Sequence, residues 1–379
     1  MVENKDKKVL NVPNLRFKEF EGEWEKCKLG DITQNFTRRN KEKIQYPMFS
    51  VTNERGFVPQ SEQFEGRDMV GDDIKAYKII QSQEFAYNPA RINVGSIAMY
   101  SGKAPCMISS LYVCFKTTQK VDDEWLMQLL KTAKLNYCYN VNGEGGVRVY
   151  LFYPNFARIR VSLPSLTEQK KIACFLNLLD ERISTQNKII EDLKKLKSAI
   201  SEKLFKDAKG DVITLSEICD IVKGEQINGE FLSEHGKYYV MNGGTDPSGY
   251  YDNYNVEAYT ISISEGGNSC GYVQFNKCPF WCGGHCYSIQ NIADNVYNLY
   301  LYHYLKTEEK AIMKLRIGSG LPNIQKKDLA TFKIKLPTSE QQKAISDILS
   351  LLEQKAEIEE QILIAMQDEK QYLLRQMFI

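Results

Sequence analysis

The sequence predicts an α+β protein. Two mixed α/β domains stand in tandem, each followed by a long helix, and the two helices pair with one another as a coiled coil. Three observations predict it. LPSLTEQKKIACFLNLLDERI (163–183) returns as LPTSEQQKAISDILSLLEQKA (336–356), aligned without a gap at an offset of 173. Each copy runs on without Gly or Pro, its apolar residues at steps of three and four. The segments before the two copies echo one another as short β-type runs broken by Asn and Gly.

At 379 residues and 43% hydrophobic content the chain has room for two or three ordinary cores. No stretch of 18 apolar residues occurs, and the opening MVENKDKKVL lacks the apolar run of a signal peptide. The expectation is a soluble, cytoplasmic chain whose ten cysteines stay reduced. The net charge of +1 hides a gradient: +5 over 1–162, +2 over 163–205, −2 over 206–335 and −4 over 336–379. This is not the profile of a non-specific DNA coater, so any nucleic-acid contact must be locally concentrated or assisted by a partner.

The first domain opens on Trp24-Glu-Lys-Cys-Lys-Leu29-Gly-Asp-Ile32, and YPMFSVTNERGFV (46–58) runs from strand through turn to strand. A helix is expected over about 122–138. The Gly-rich NGEGGVRVY (142–150) and the strand FARIRVSLP (156–164) close the domain. Pro164 then stops the strand, and Ser165 with Glu168 fits a capping box. The seam runs Ile172, Leu176, Leu179, Ile183, Ile190, Leu193, Ile200, interrupted at Gln186. The helix should span roughly 38 residues, about 57 Å at about 1.5 Å per residue.

After a linker DAKGD (207–211) the pattern recurs. Leu215-Ser-Glu-Ile218 answers the opening, YYVMNGGTDPSGYY (238–251) the turn, and RIGSGLPNI (316–324) the Gly-rich loop. A helix is expected over about 294–314, then the strand ATFKIKLP (330–337). Thr338 with Gln341 repeats the cap, and the seam Ile345, Leu349, Leu352, Ala356, Leu363, Met366, Leu373 is interrupted at Glu359. The expected divisions are 1–162, 163–207, 208–335 and 336–379. The opposite net charges of the two helical copies favour their pairing modestly.

This order of W-x-x-x-x-L-G-D-I opening, mixed domain, LPSLTEQKKIACFLNLLD, second mixed domain and LPTSEQQKAISDILSLLE resembles the specificity subunit of a type I restriction-modification enzyme. The resemblance covers nearly the whole chain. It implies two target-recognition domains reading a bipartite, gapped double-stranded DNA target, one domain per half-site. It implies a non-catalytic subunit that docks methyltransferase subunits, two of them, through the helical regions, with restriction/translocase subunits added and no cofactor of its own. The resemblance also implies that the two helices pair as an antiparallel coiled coil, which relates the domains by a pseudo-two-fold axis; such a reader meets DNA as two half-sites at a fixed spacing, so the helices act as a ruler.

The residues name no chemistry that contradicts this. There is no G-x-x-x-x-G-K-[ST], and Asn88-Pro89-Ala90-Arg91 lacks the second Pro and the aromatic of a methyltransferase motif. Two alternatives stand beside it. One is a coiled-coil scaffold that reads no DNA. The other is a zinc-containing enzyme built on Cys278, Cys282, His285 and Cys286, although Cys278-Pro-Phe-Trp-Cys282 also suits a packed strand.

Candidate DNA contacts in the first domain are the basic run Arg38, Arg39, Lys41 and Lys43, then Asn53 and Arg55 in the turn after MFSV. Asn88 and Arg91 flank Pro89, Lys103 lies in SGKAP, and Arg148 follows the Gly-rich loop. Asn and Arg are the types that read adenine and guanine edges bidentately. In the second domain the corresponding places hold Lys223, Gln226, Asn242, Tyr250 and Tyr251. Asn268, Lys314, Arg316, Ser319 and Asn323 lie in or beside its Gly-flanked turns. Repeat-matched Gln169, Lys170, Gln342 and Lys343 are the candidates for partner docking.

Overall fold

The computed structural model describes residues 10–63, 74–145, 149–318, 320 and 322–379. The chain forms two compact units, Met1–Thr185 with Leu363–Ile379, and Gln186–Ile362. Each unit takes part of both long helices.

In the first unit β1 (Glu25–Lys28), β2 (Thr33–Phe36), β3 (Phe85–Tyr87), β4 (Ile97–Met99) and β5 (Val113–Thr117) precede α1 (Asp123–Leu130). Then come β6 (Arg160–Leu163) and α2 (Leu166–Asp207). An antiparallel sheet runs β2-β5-β3-β4. Phe85 sits opposite Phe115 in the register, their rings stacked 4.9 Å apart. β1 and β6 form a separate ribbon whose last residue, Leu163, runs through Pro164 into the helix. Ser165 Oγ accepts the Glu168 N–H at 3.3 Å, which supplies the expected cap. The Glu168 carboxylate does not reach back, however. It is buried and holds the Arg16 guanidinium by two bonds of 2.7 and 2.8 Å, with the Trp24 indole N–H at 3.2 Å. The hydrogen bonds that Arg16 donates to Glu168 raise the Arg16 pKa above its ordinary value.

The expected helix over 122–138 breaks in two because Thr132 Oγ1 caps a second helix, Ala133–Asn142. Trp125, Leu126 and Phe156 share one core with Ile172 and Leu176 of α2 and with Leu373, Leu374 and Phe378 from the chain's last turn. Trp125 and Phe378 meet ring to ring at 5.7 Å.

The second unit repeats this plan with β7 (Asp211–Thr214), β8 (Asp220–Lys223), β9 (Thr260–Ser264), β10 (Val273–Asn276) and β11 (Cys286–Gln290). After them follow α3 (Asn298–Thr307), β12 (Lys333–Leu336) and α4 (Ser339–Met377). Its sheet runs β8-β11-β9-β10, all antiparallel, the same order as in the first unit. β7 pairs with β12 as β1 pairs with β6. The 207–211 connection passes so close to β12 that a Cβ at Gly210 would collide with the Leu336 carbonyl. Phe205, the counterpart of Phe378, packs with Tyr300, Ile345 and Leu349, its ring 5.6 Å from that of Tyr300. In each unit the end of one helical copy thus packs among residues near the start of the other, which is an antiparallel pairing.

The helices are 42 and 39 residues long, so α2 extends about 63 Å at about 1.5 Å per residue. Their interruptions are a matched pair. Gln186 and Glu359, equivalent residues of the two copies, are both buried, and Gln186 Nε2 donates to the Glu359 carbonyl at 3.0 Å and to its carboxylate. A single buried polar pair of this kind selects register at some cost in stability. Ion pairs also repeat: Asp180 with Lys370 in the first unit, Glu353 with Lys197 at 2.7 Å in the second.

One contact recurs atom for atom. Gln169 Oε1 accepts the Asp122 N–H at 2.7 Å while its Nε2 donates to the carbonyls of Lys120 and Pro164. Gln342 Oε1 accepts the Tyr297 N–H at 2.7 Å while its Nε2 donates to the carbonyls of Asn295 and Pro337. Both amides are buried, 0% and 1% exposed, and fully spent on the domain they follow. The expectation that these two glutamines face a partner therefore fails, for want of any exposed surface. Lys170 and Lys343 are exposed. Among the described residues no helix is long and apolar enough to cross a membrane.

Replacing Gln169 or Gln342 by Ala strands one buried carbonyl, that of Pro164 or Pro337, and removes the partner of a part-buried main-chain N–H and carbonyl, so each change should destabilise by about 1–3 kcal/mol. The two glutamines share no partner, so the double variant should show the sum in denaturant unfolding. His303, buried in α3 with Nε2 3.0 Å from Ser350 Oγ, has its pKa lowered to about 4, first by burial. The unfolded chain then binds the proton more readily than the folded one. Its contribution to stability is complete above about pH 6.5 and is lost as pH falls towards about 4. Unfolding free energies measured across that window should fall less steeply for His303→Gln.

Candidate nucleic-acid interface

In the first unit the turn of the hairpin formed by Phe49–Thr52 and Gly56–Pro59 meets the turn that follows β3. A cavity of about 420 Å³ is lined by Asn53, Arg55, Asn88 and Arg91 together with Tyr112 and Ser50. Four sequence candidates from two separate turns are thus neighbours. Thr52 Oγ1 holds the Arg55 N–H and Asn88 Oδ1 holds the Ala90 N–H, so both turns are locally pinned. Gly56 takes a φ of 64°, which lets the Asn53–Arg55 turn close. Arg55 pairs with Glu62 only loosely, at 3.5 Å with both side chains mostly exposed, so the guanidinium is free to reorient.

The basic run divides. Arg38 is committed to Glu84 by two bonds of 2.8 Å and lies over the Phe36 ring, which makes it part of the frame. Arg39, Lys41 and Lys43 are exposed. Sequence reading passed over Asn40, which pins the loop carrying them: its buried amide donates to the Ile44 carbonyl at 2.8 Å and accepts the Ile44 N–H at 3.0 Å. An Asn followed by a turn within RRNKEK was the available signal. Lys103 lies exposed on another turn. Arg148 falls outside the described residues.

In the second unit the loops are joined through glycine and main chain. Asn242 Oδ1 accepts the His285 N–H at 3.0 Å, and Ser264 Oγ donates to the Gly243 carbonyl at 2.6 Å. A Cβ at Gly283 would collide with the Asn242 side chain down to its own Cβ, so glycine there is a condition of closeness, and Gly284 lies against the Gln226 side chain. Asn323 pairs with Ile317 through two main-chain bonds, and the Gly267 N–H donates to the Pro322 carbonyl. That brings the turn bearing exposed Asn268 beside the loop bearing exposed Asn323. The centre is Glu265, absent from the sequence candidates. It is buried and accepts from Lys223 at 2.7 Å and from the Tyr287 hydroxyl at 3.1 Å. Lys223 is therefore already paired. Tyr250 is exposed, Tyr251 packs edge-on against Trp281 at 5.3 Å, and Lys314 and Arg316 are exposed. Ser319 lies outside the described residues.

The cysteine cluster converges only in part, Cys282 meeting Cys286. Cys278 is exposed, whereas Cys282 and Cys286 are buried with their thiols 3.6 Å from main-chain carbonyls. Cys270 is buried against the Glu265 carbonyl. Hydrogen bonding with Cys286, followed by burial, pushes the Cys282 thiol far above its ordinary range. Among the described residues no three His, Cys, Asp or Glu side chains are placed to hold a metal ion.

On the helices the structure exposes what the glutamines do not. Leu178 and its counterpart Leu351 are 54% and 65% exposed, and Ile189 and its counterpart Ile362 are 40% and 38% exposed. These apolar residues repeat at equivalent places of the two copies and are left uncovered in both. The signal was in the repeat itself, where Leu178 and Leu351 match but fall off the seam.

The family model "Type I restriction modification DNA specificity domain" matches this chain twice, over residues 21–195 and 209–367. The type I restriction enzyme MjaVIII specificity subunit of Methanocaldococcus jannaschii is 26% identical over 398 residues, covering 90% of each chain. The crystal structure of the type I restriction-modification S subunit from Mycoplasma genitalium superposes with a TM-score of 0.66 at 18% identity, over 97% of this chain and 99% of that one. A chain from a study of assembly and conformational transition in a type I R-M system superposes at 0.59 and 17% identity, over 93% and 96%.

Proposed function

Because this chain belongs to the type I restriction-modification DNA specificity family, we propose that it reads a bipartite, gapped double-stranded DNA target, one domain to each half-site. In this reading it does no chemistry itself and directs methyltransferase and restriction subunits to the site. The observation that carries the reading is the contrast between frame and loops. Sheet order, ribbon, glutamine anchor and helix ion pairs repeat in both units. The side chains gathered at the loops differ: Asn53, Arg55, Asn88 and Arg91 in one unit, Gln226, Asn242, Asn268 and Asn323 in the other. A duplicated frame bearing different hydrogen-bonding side chains suits a two-headed reader of an asymmetric sequence.

Asn53 and Arg91 are assigned to base edges, where a bidentate contact discriminates by about 1–3 kcal/mol. Lys41 and Lys43 are assigned to phosphates, which position without specifying. Methyltransferase subunits, two in this reading, dock along the helices at Leu178, Ile189, Leu351 and Ile362, with Lys170 and Lys343 flanking. The second unit's recognition region is net negative in sequence, so its phosphate contacts fall in large part to those partners.

The test is to co-express the chain with its methyltransferase and sequence the methylome. Asn53→Ala or Arg91→Ala should relax one position of one half-site, and exchanging residues 208–335 should rewrite the other half alone. Lys41→Ala should weaken binding to all sequences alike and flatten the salt dependence. A change in both halves, or in neither, would sink the model of one domain per half-site, and no sequence preference at all would favour the scaffold reading.

A further inference from the structure

The loop cavity of the first unit sets a carboxylate among amides and guanidiniums. Glu54 lines it together with Asn53, Arg55, Asn88 and Arg91. It stands exposed in the turn between the paired strands Phe49–Thr52 and Gly56–Pro59. Among the described residues Glu54 makes no ion pair and no side-chain hydrogen bond, although two arginines share the lining. Arg55 turns instead towards Glu62, at 3.5 Å. The turn itself is firmly held. Thr52 Oγ1 accepts the Arg55 N–H at 3.1 Å and donates to the Gly56 carbonyl at 3.2 Å, closing it from both sides. Gly95, at φ 98°, ends the loop that carries Arg91, and a Cβ built on it would stand 3.5 Å from the Asn53 carbonyl. The two loops are thus in packing contact, and Glu54 keeps a fixed place beside Arg91.

A carboxylate in that place works against DNA binding. Duplex DNA carries one negative charge per about 1.7 Å of its axis, so Glu54 repels every sequence alike unless it accepts a hydrogen bond. Its two oxygens accept and cannot donate. In the major groove guanine offers the acceptors N7 and O6, and thymine an acceptor and a methyl group. Adenine sets its N6 donor beside the N7 acceptor, an edge that suits an amide such as Asn53 or Asn88. Cytosine presents its N4 amino donor with no acceptor beside it. An acceptor-only side chain therefore matches cytosine alone, and the arginines of the same lining match the guanine paired with it.

We propose that Glu54 determines specificity by accepting from the N4 amino group of a cytosine in the half-site met by the first unit. This assignment rests on the reading that the unit meets DNA through this cavity, and it deepens that reading by one base pair. A C·G pair then belongs to the first half-site. Exclusion contributes as much as attraction, because each of the other three bases sets an acceptor against the carboxylate.

The experiment is a mobility-shift titration of the chain in complex with its methyltransferase. The duplexes are the target found by methylome sequencing, its single-base variants and a random sequence. The half-site that survives exchange of residues 208–335 is the one to vary. Replacing one cytosine of that half should weaken the parent complex about tenfold or more. Glu54→Gln and Glu54→Ala should reduce that ratio to about threefold or less at this position alone, at an unchanged melting temperature. Both variants should bind random duplex at least as tightly as the parent, since a repelling charge is gone. Glu54→Gln, with a donor and an acceptor, should also raise tolerance of adenine there. Discrimination unchanged at every position, relaxation at an A·T pair, or equal weakening on all duplexes overturns the proposal. Relaxation spread over several positions marks a carboxylate that only orients its neighbours, and overturns it as well. A parent complex without sequence preference would overturn the two-domain reading itself, whereas a discriminating parent whose Glu54 variants keep the cytosine removes this assignment alone.

Discussion

The interaction on which the rest depends is the buried glutamine one turn into each long helix. A side-chain amide accepts from one main-chain N–H and donates both its N–H groups to two carbonyls of the domain that precedes it. Buried main-chain groups that lose such a partner are costly, so the amide fixes where the domain's own helix sits against the long one. Aromatic packing completes the joint: Trp125 meets Phe378, and Tyr300 meets Phe205. Because each phenylalanine belongs to the opposite helical copy, neither unit is complete without both helices.

This explains why the two units share a frame and differ at their loops. The anchors, the caps and the ribbon-to-helix step use side chains whose geometry allows few substitutes. The turns need only close, through an Asx bond or a glycine, and their outward side chains are then free to differ. Asn40 and Glu265 show where that freedom stops. Each is buried to hold a loop whose exposed members are available for contact. The seam's two polar residues follow the same logic. Gln186 and Glu359 looked like flaws in a heptad, yet they meet each other and penalise any pairing that would separate them.

Duplication, cap positions, seam and the α+β character were legible in one sequence because each depends on local spacing. Periodicity in threes and fours needs no partner to be seen, and Pro followed by Ser or Thr announces a helix start wherever it occurs. The split of the first domain's helix at Thr132 was missed because apolar spacing carries across the break while the cap acts on it. Gln169 and Gln342 were placed on the wrong side of the surface for a related reason. A polar residue repeated at a helix start reads as exposed until the main chain it satisfies is known.

The sequence by itself determined that one element is used twice, that two different domains precede it, and which residue types stand in the turns. These follow from the order of residues and the steric limits of the backbone. Only the tertiary structure decided which of those residues meet. It gathered Asn53 and Arg55 with Asn88 and Arg91 across some thirty residues of chain, and it gave Arg38 and Lys223 to internal carboxylates. It also set Glu54 beside them in the same cavity. Burial, pairing and exposure are properties of neighbours distant in sequence, so the same Asn, Arg or Gln becomes frame or site according to what folds against it.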